Sequence, residues 1–311
     1  MCLIAWNWQP ASATPLLLIA NRDEFYARPS QALQWWDDGN ILAGKDLQAG
    51  GTWLGLTRTG RLAALTNYRD FSTAGKASQL PVDAPSRGEL VTEFLGSSLD
   101  ARAFLQRLAR RAHRYNPFNL LVFDGTQLLG LQSRQSEVVE MQPGIGAVSN
   151  ADFHSPWPKL TWLRDELENH VSIRSSCASG GQDADAIARD DAGDGDGDGI
   201  DIGVGVGVGV GVGFEALFSI LKNSTIAPDE ALPQTGLPLA RERALSAAFI
   251  TSPDYGTRAC SVVEIARAQA QFEERTFDAA GLVSTQKHAF AIQPLPREHA
   301  MVSSGRFTGR P

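Results

Sequence analysis

Met1-Cys2-Leu3-Ile4-Ala5-Trp6 and Leu16-Leu17-Leu18-Ile19-Ala20-Asn21-Arg22-Asp23-Glu24 are the two stretches on which the reading of this chain turns. Each is a short, unbroken apolar run, and short apolar runs bounded by turn signals read as buried strands. Between them, Gln9-Pro10-Ala11-Ser12-Ala13-Thr14-Pro15 carries the prolines and small polar residues of a turn. Residues 2–8 and 16–22 therefore read as a strand pair, with Cys2 on the strand beside the Asn21–Glu24 cluster.

A cysteine at position 2 has a specific chemical meaning. An initiator methionine ahead of so small a residue is normally removed, leaving a thiol and an α-amine a few bonds apart. The amine titrates at roughly 7.7–8.0 and the thiol at roughly 8.5, so near neutrality the amine can take the thiol proton. One residue then supplies nucleophile and base. The five histidines, at 113, 154, 170, 288 and 299, are scattered and not needed. The alternative is plain: a strand cysteine is otherwise a small buried hydrophobe, and an Asn-Arg-Asp-Glu run is otherwise a solvated strand end.

The Cys2 start, the Asn21-Arg22-Asp23-Glu24 string and the stretch Gly50-Gly51-Thr52-Trp53-Leu54-Gly55 together resemble the NRDE family, the transport and Golgi organisation type. The resemblance covers the chain except for residues 174–213 and the tail after about 295. It implies the fold of N-terminal nucleophile hydrolases of the penicillin V acylase and bile salt hydrolase kind: α+β, a four-layer αββα sandwich of two antiparallel sheets. It also implies site roles. Asn21-Arg22-Asp23 matches an Asn-x-Asp string, so Asp23 carries over as the carboxylate that orients the amine of Cys2. The acylase relatives place arginine before the Asn, where this chain has Ala20; here Arg22 lies between Asn21 and Asp23, and strand alternation sends Arg22 and Asp23 to opposite faces. Asn67 and Asn150 resemble the two oxyanion positions, although asparagine also ends strands for its turn chemistry alone. Arg258 resembles a late-chain arginine that lowers the thiol pKa; its other reading is a surface strand residue.

Two functions follow from the resemblance. The first is a cysteine N-terminal nucleophile amidohydrolase or acyltransferase acting on an acyl amide or acyl thioester. The second is a non-catalytic protein that binds and traffics haem or acyl-CoA and other lipids. The partner implied is a small-molecule acyl substrate or ligand, acyl-CoA or haem among them. No cofactor and no metal is called for: Asp194, Asp196, Asp198 and Gly199 imitate half of a calcium loop, but position 12 would fall on Gly205.

Composition sets the remaining bounds. A chain of 311 residues with 43% hydrophobic and 20% charged residues is an ordinary globular composition. A net charge of −7 argues against nucleic acid. Three cysteines with no paired spacing suit a reducing compartment, the cytoplasm by default. No run is long and apolar enough for a membrane span, and no feature sets the oligomeric state. Residues 1–295 read as one domain, with a low-complexity Ser/Gly/Asp and Gly/Val insertion at about 174–213 and a polar tail at 296–311.

Along the chain, Leu62-Ala63-Ala64-Leu65-Thr66-Asn67 pairs with the preceding strand through the Arg58–Arg61 turn. Lys45 to Gly51 reads as loop. Ser86 and Glu89 have the spacing of a capping box for a helix to Leu95, and Asp100 caps a second helix to about residue 113. Strands follow at 119–123, 128–131, 138–141 and 146–150, helices at about 157–170 and from 214, and strands at 247–250, 255–263, 271–277 and 288–292. Strands, helices, strands, helix, strands is the order of two packed antiparallel sheets with helices outside.

Overall fold

In the computed structural model, which describes residues 2–69, 84–180 and 214–294, the N-terminal hairpin lies in the middle of a sheet. Strand β1 (Cys2–Trp8) runs antiparallel to β2 (Leu16–Phe25), with Cys2 opposite Arg22 and Trp8 opposite Leu16. Alternation sorts their side chains. Ile4, Trp6, Trp8, Leu16, Leu18 and Ala20 enter a core between two sheets, while Leu3, Ala5, Leu17 and Ile19 face helices. Both faces are covered, so both runs are apolar throughout.

The first sheet has the order β10 (Gly144–Val148), β1, β2, β11 (Tyr255–Ile265), β12 (Gln269–Asp278), β13 (Gly281–Ala291). The second is a continuous meander of β3 (Ser30–Trp35), β4 (Ile41–Asp46), β5 (Leu54–Thr57), β6 (Leu62–Asn67), β7 (Phe118–Phe123), β8 (Leu128–Gln132) and β9 (Glu137–Glu140). All pairings are antiparallel. Helices α1 (Gly88–Leu95) and α2 (Ala101–Ala109) cover the outer face of the second sheet, where Phe94, Phe104 and Leu105 meet Ala63, Phe118 and Leu120. Helices α3 (Pro158–Gly180) and α4 (Glu215–Leu221) cover the outer face of the first, where Leu163, Leu167 and Phe218 meet Leu3, Ile19 and Val262. The protein is thus α+β, two antiparallel sheets flanked by helices.

Several local expectations change. Helix α1 begins at Gly88 behind Arg87 and has no side-chain cap. The Glu89 carboxylate instead accepts the Tyr115 hydroxyl at 2.6 Å, so the box does not close. Asp100 does cap α2, accepting the Ala103 N–H at 2.7 Å. Strand β4 runs on to Asp46 into the expected loop, and β13 starts at Gly281, ahead of 288. No strand forms at 247–250. There the Asn21 amide donates to the Ala248 carbonyl at 2.8 Å and the Ile250 N–H reaches the Thr257 hydroxyl at 2.9 Å, so side chains replace a ladder. A helix absent from the sequence reading, α5, spans Leu239–Leu245. Helix α3 continues to Gly180, past the expected insertion start at 174. The rest of the insertion with its calcium-like string, the loop at 70–83, Met1 and the tail lie outside the described residues. Among the described residues no helix is long and apolar enough to cross a membrane.

Candidate functional site

A cleft of about 340 Å³ opens where β1 and β2 meet the 46–52 loop and the start of α1. Cys2 forms part of its wall. Its thiol projects to the inter-sheet face, the face of its cross-strand partner Arg22, and is 6% exposed. Burial pushes the thiol up to about 11, and the N-terminal charge and then Arg22 offset this only in part.

Arg22 is itself engaged. Its Nη2 lies 3.7 Å from Glu24 Oε2 and 3.7 Å from Asp46 Oδ2. Arg28 Nε donates to Asp46 Oδ2 at 2.7 Å and lies 3.9 Å from Glu24. Burial alone would raise the Asp46 carboxyl; hydrogen bonds from Arg28 and from the Ala49 and Gln48 amides hold it below the usual carboxylate range. Glu24 thus has a place in a two-arginine, two-carboxylate network at the cleft rim.

Asp23 also forms part of the cleft lining, but its side chain turns to β11. It is 1% exposed, its Oδ1 accepts the Thr257 hydroxyl at 2.7 Å, and its carbonyl accepts the Tyr255 hydroxyl at 3.1 Å. Asn21, on the same face, donates to the Leu221 and Ala248 carbonyls, both at 2.8 Å. Asn21 therefore ties the sheet to α4 and Asp23 ties β2 to β11, while Arg22 and Glu24 face the cleft.

Asn67 lines the cleft at the end of β6, whereas Asn150 lies behind it. The Asn150 amide donates to the Asn67 carbonyl at 2.8 Å, and the neighbouring Ser149 hydroxyl donates to the Cys2 carbonyl at 3.0 Å. The two asparagines make a clasp between the sheets. Arg258 lines the cleft too. Its guanidinium donates to the Phe25, Tyr26, Arg28 and Phe277 carbonyls at 3.0–3.1 Å, holding the turn after β2.

Three residues absent from the sequence reading belong to this region. Arg87, ahead of α1, lines the cleft and donates to the Pro117 carbonyl at 3.2 Å. Glu274 lines its floor; burial pushes its carboxyl up to about 7, while the Leu33 N–H and the Ser261 hydroxyl donate to it. Its signal was available, since in Phe272-Glu273-Glu274 alternation places Glu274 on the inner face with Phe272. Lys159, in the first turn of α3, is 4% exposed; burial pushes its ammonium down to about 8, and the Asp23 charge is the largest influence against this. The rim is backbone against backbone: a Cβ on Gly51 would meet the Gly88 carbonyl carbon at 2.6 Å. Gly50, at φ +77°, makes the turn that allows this approach.

Against known proteins, residues 1–190 and 210–279 match the family model described as Transport and Golgi organisation 2. The Transport and Golgi organization protein 2 homolog of Bos taurus is 31% identical over 313 residues, covering 94% of this chain and 100% of that protein. The Homo sapiens homolog is 39% identical over 174 residues, covering 51% of this chain and 60% of that protein. Among solved structures, a mutant conjugated bile acid hydrolase from Clostridium perfringens aligns with 94% of this chain and 92% of its own, at TM-score 0.40 and 11% identity. That likeness is too slight to carry an argument.

These findings correct the sequence resemblance in two respects. The family is the transport and Golgi organisation one, in place of an NRDE family allied to N-terminal nucleophile hydrolases. The hydrolase or acyltransferase expectation, with its cysteine nucleophile, is overturned as well, because the sequence relatives bear transport and Golgi organisation names. A position-2 cysteine and a four-residue string are too short to specify a reaction.

Proposed function

The chain belongs to the transport and Golgi organisation 2 family, and on that premise we propose that it is a non-catalytic carrier, which holds an acyl-CoA or other lipid, or haem, in the cleft beside Cys2 for trafficking. The observation that carries this reading is the burial of Cys2, which is 6% exposed in the cleft wall on an apolar strand. A nucleophilic cysteine needs its thiolate, and Cys2 is buried with its pKa raised to about 11. A protonated thiol on an apolar strand suits a wall better than a nucleophile.

In this reading Cys2, Arg22, Asp23, Asn67 and Arg258 bound the ligand, Asp23 also accepts the Thr257 hydroxyl, and Asn150 fastens the strands behind them. Helix, sheet, sheet, helix is the αββα layering of N-terminal nucleophile hydrolases, used here as a container. The body is one domain over residues 1–295. Free thiols at Cys2 and Cys260 suit the reducing cytoplasm.

The test is equilibrium binding of palmitoyl-CoA and of haemin to the full chain, with the ligand recovered and weighed by mass spectrometry. Saturable binding of intact ligand, kept in Cys2→Ala, is the expected result. Release of free CoA that stops in Cys2→Ala, or an acyl adduct on Cys2, would overturn the carrier reading.

A further inference from the structure

Five cationic side chains line the cleft: Arg22, Arg28, Lys45, Arg87 and Arg258. Four are already occupied. Glu24 and Asp46 lie against Arg22 and Arg28. Lys45 sits over the Trp36 ring, 4.8 Å from its centroid. Arg258 is held by four backbone carbonyls.

Arg87 differs. Among the described residues it forms no ion pair, and its hydrogen bond is the one from Nη1 to the Pro117 carbonyl. Its Nε and Nη2, the side-on edge of the guanidinium, have no acceptor there. That edge matches the two oxygens of a carboxylate or phosphate. Burial works against the Arg87 charge and Glu24 supports it only through space, with no ion pair, which leaves the open edge free to take an anionic group in the cleft. The backbone around Arg87 is also held firmly. Gly88 follows it directly and packs on Gly51 and Thr52, so the chain bearing Arg87 is braced against the opposite rim.

We infer that Arg87 is the anion-reading residue of the cleft, taking two oxygens of one phosphate or carboxylate group of the ligand in a bidentate contact. This rests on the carrier reading and adds to it the residue that would read the acidic group of such a ligand.

The test uses the full chain and two charged ligands, each with a neutral counterpart. Palmitoyl-CoA is set against S-palmitoyl-pantetheine, which lacks phosphate; haemin is set against its dimethyl ester, which lacks free carboxylates. Arg87→Gln is expected to weaken a charged ligand by about tenfold or more and to leave its neutral counterpart unchanged. Arg87→Lys, keeping charge and losing the fork, is expected to fall between. The arm that responds says whether phosphate or carboxylate is read. Unchanged affinity of Arg87→Gln for the charged ligand, or equal losses for charged and neutral ligands, overturns the assignment and leaves the carrier reading standing. Failure of the wild-type chain to bind any of the ligands removes both. Should Arg87→Gln not fold, Arg87→Lys and the wild-type preference for charged over neutral ligand decide the matter in the same sense.

Discussion

Cys2 and Arg22 face each other across one rung of a ladder, and that register governs the chemistry available to the thiol. An arginine on the same face ordinarily favours a thiolate. Here Glu24 and Asp46 lie against the arginine and burial dominates, so the thiol stays protonated. Glu274, at the floor of the cleft, follows the same logic with a sharper consequence. Its carboxyl is raised from an ordinary 4.5 to about 7 by burial. Between those values the folded chain keeps a proton that the unfolded chain releases, so stability falls as pH rises from 4.5 to 7 and is level above. Glu274→Gln keeps an acceptor for the Leu33 N–H and removes the titration. Denaturant unfolding should show the variant gaining up to about 3 kcal/mol over wild type at pH 8 relative to pH 4. Equal pH dependence in both proteins would contradict this account. Single residues were unevenly legible. The opposed faces of Arg22 and Asp23 followed from alternation alone. The open guanidinium edge of Arg87 did not, because it stands out only once Glu24 and Asp46 are seen to pair with Arg22 and Arg28.

The strands were the most readable elements, because a covered sheet demands an apolar run and two such runs flank a proline-containing turn. Helix starts were less so. Ser86-Arg87-Gly88-Glu89 and Asp100-Ala101-Arg102-Ala103 both have capping chemistry, yet only Asp100 makes the bond. The difference lies in where the helix starts: Asp100 is the N-cap of α2, whereas α1 begins at Gly88 with Arg87 as its N-cap, so Ser86 sits one residue too early, and Tyr115 holds the Glu89 carboxylate. Asp100→Ala should therefore cost about 1 kcal/mol in thermal or denaturant unfolding. Ser86→Ala should cost only a few tenths, since its contribution to α1 is a backbone carbonyl that alanine retains. Comparable losses in the two variants would show that Ser86 caps after all. The missing strand at 247–250 and the unforeseen α5 have one origin. Asn21 and Thr257 hold the 247–250 backbone from elsewhere in the fold, and Thr235 and Arg69 donate to Glu242 within α5; short weakly patterned segments yield to such partners.

At the scale of the molecule, the two sheets are assembled differently. The second is a meander of successive neighbours, while the first gathers residues 2–25, 144–148 and 255–291 into one ladder. The layer order was legible from the sequence of elements; the joining of distant segments at β1 and β2 was not, since edge and centre carry the same apolar signal. Hydrogen exchange should separate them. Amides of β1, β2 and β11, flanked by strands on both sides, are expected to outlast those of the edge strands β9 and β13. Faster exchange in β1 than in β13 would contradict this arrangement.

The contact of Gly51 with Gly88 bears on how wide the mouth of the cleft is. Two α-hydrogens set that spacing, and no side chain is available to be trimmed or repacked there. A single methyl added at Gly51 would act as a wedge, parting the loop from the helix and widening the gate without altering any charge that greets an incoming molecule.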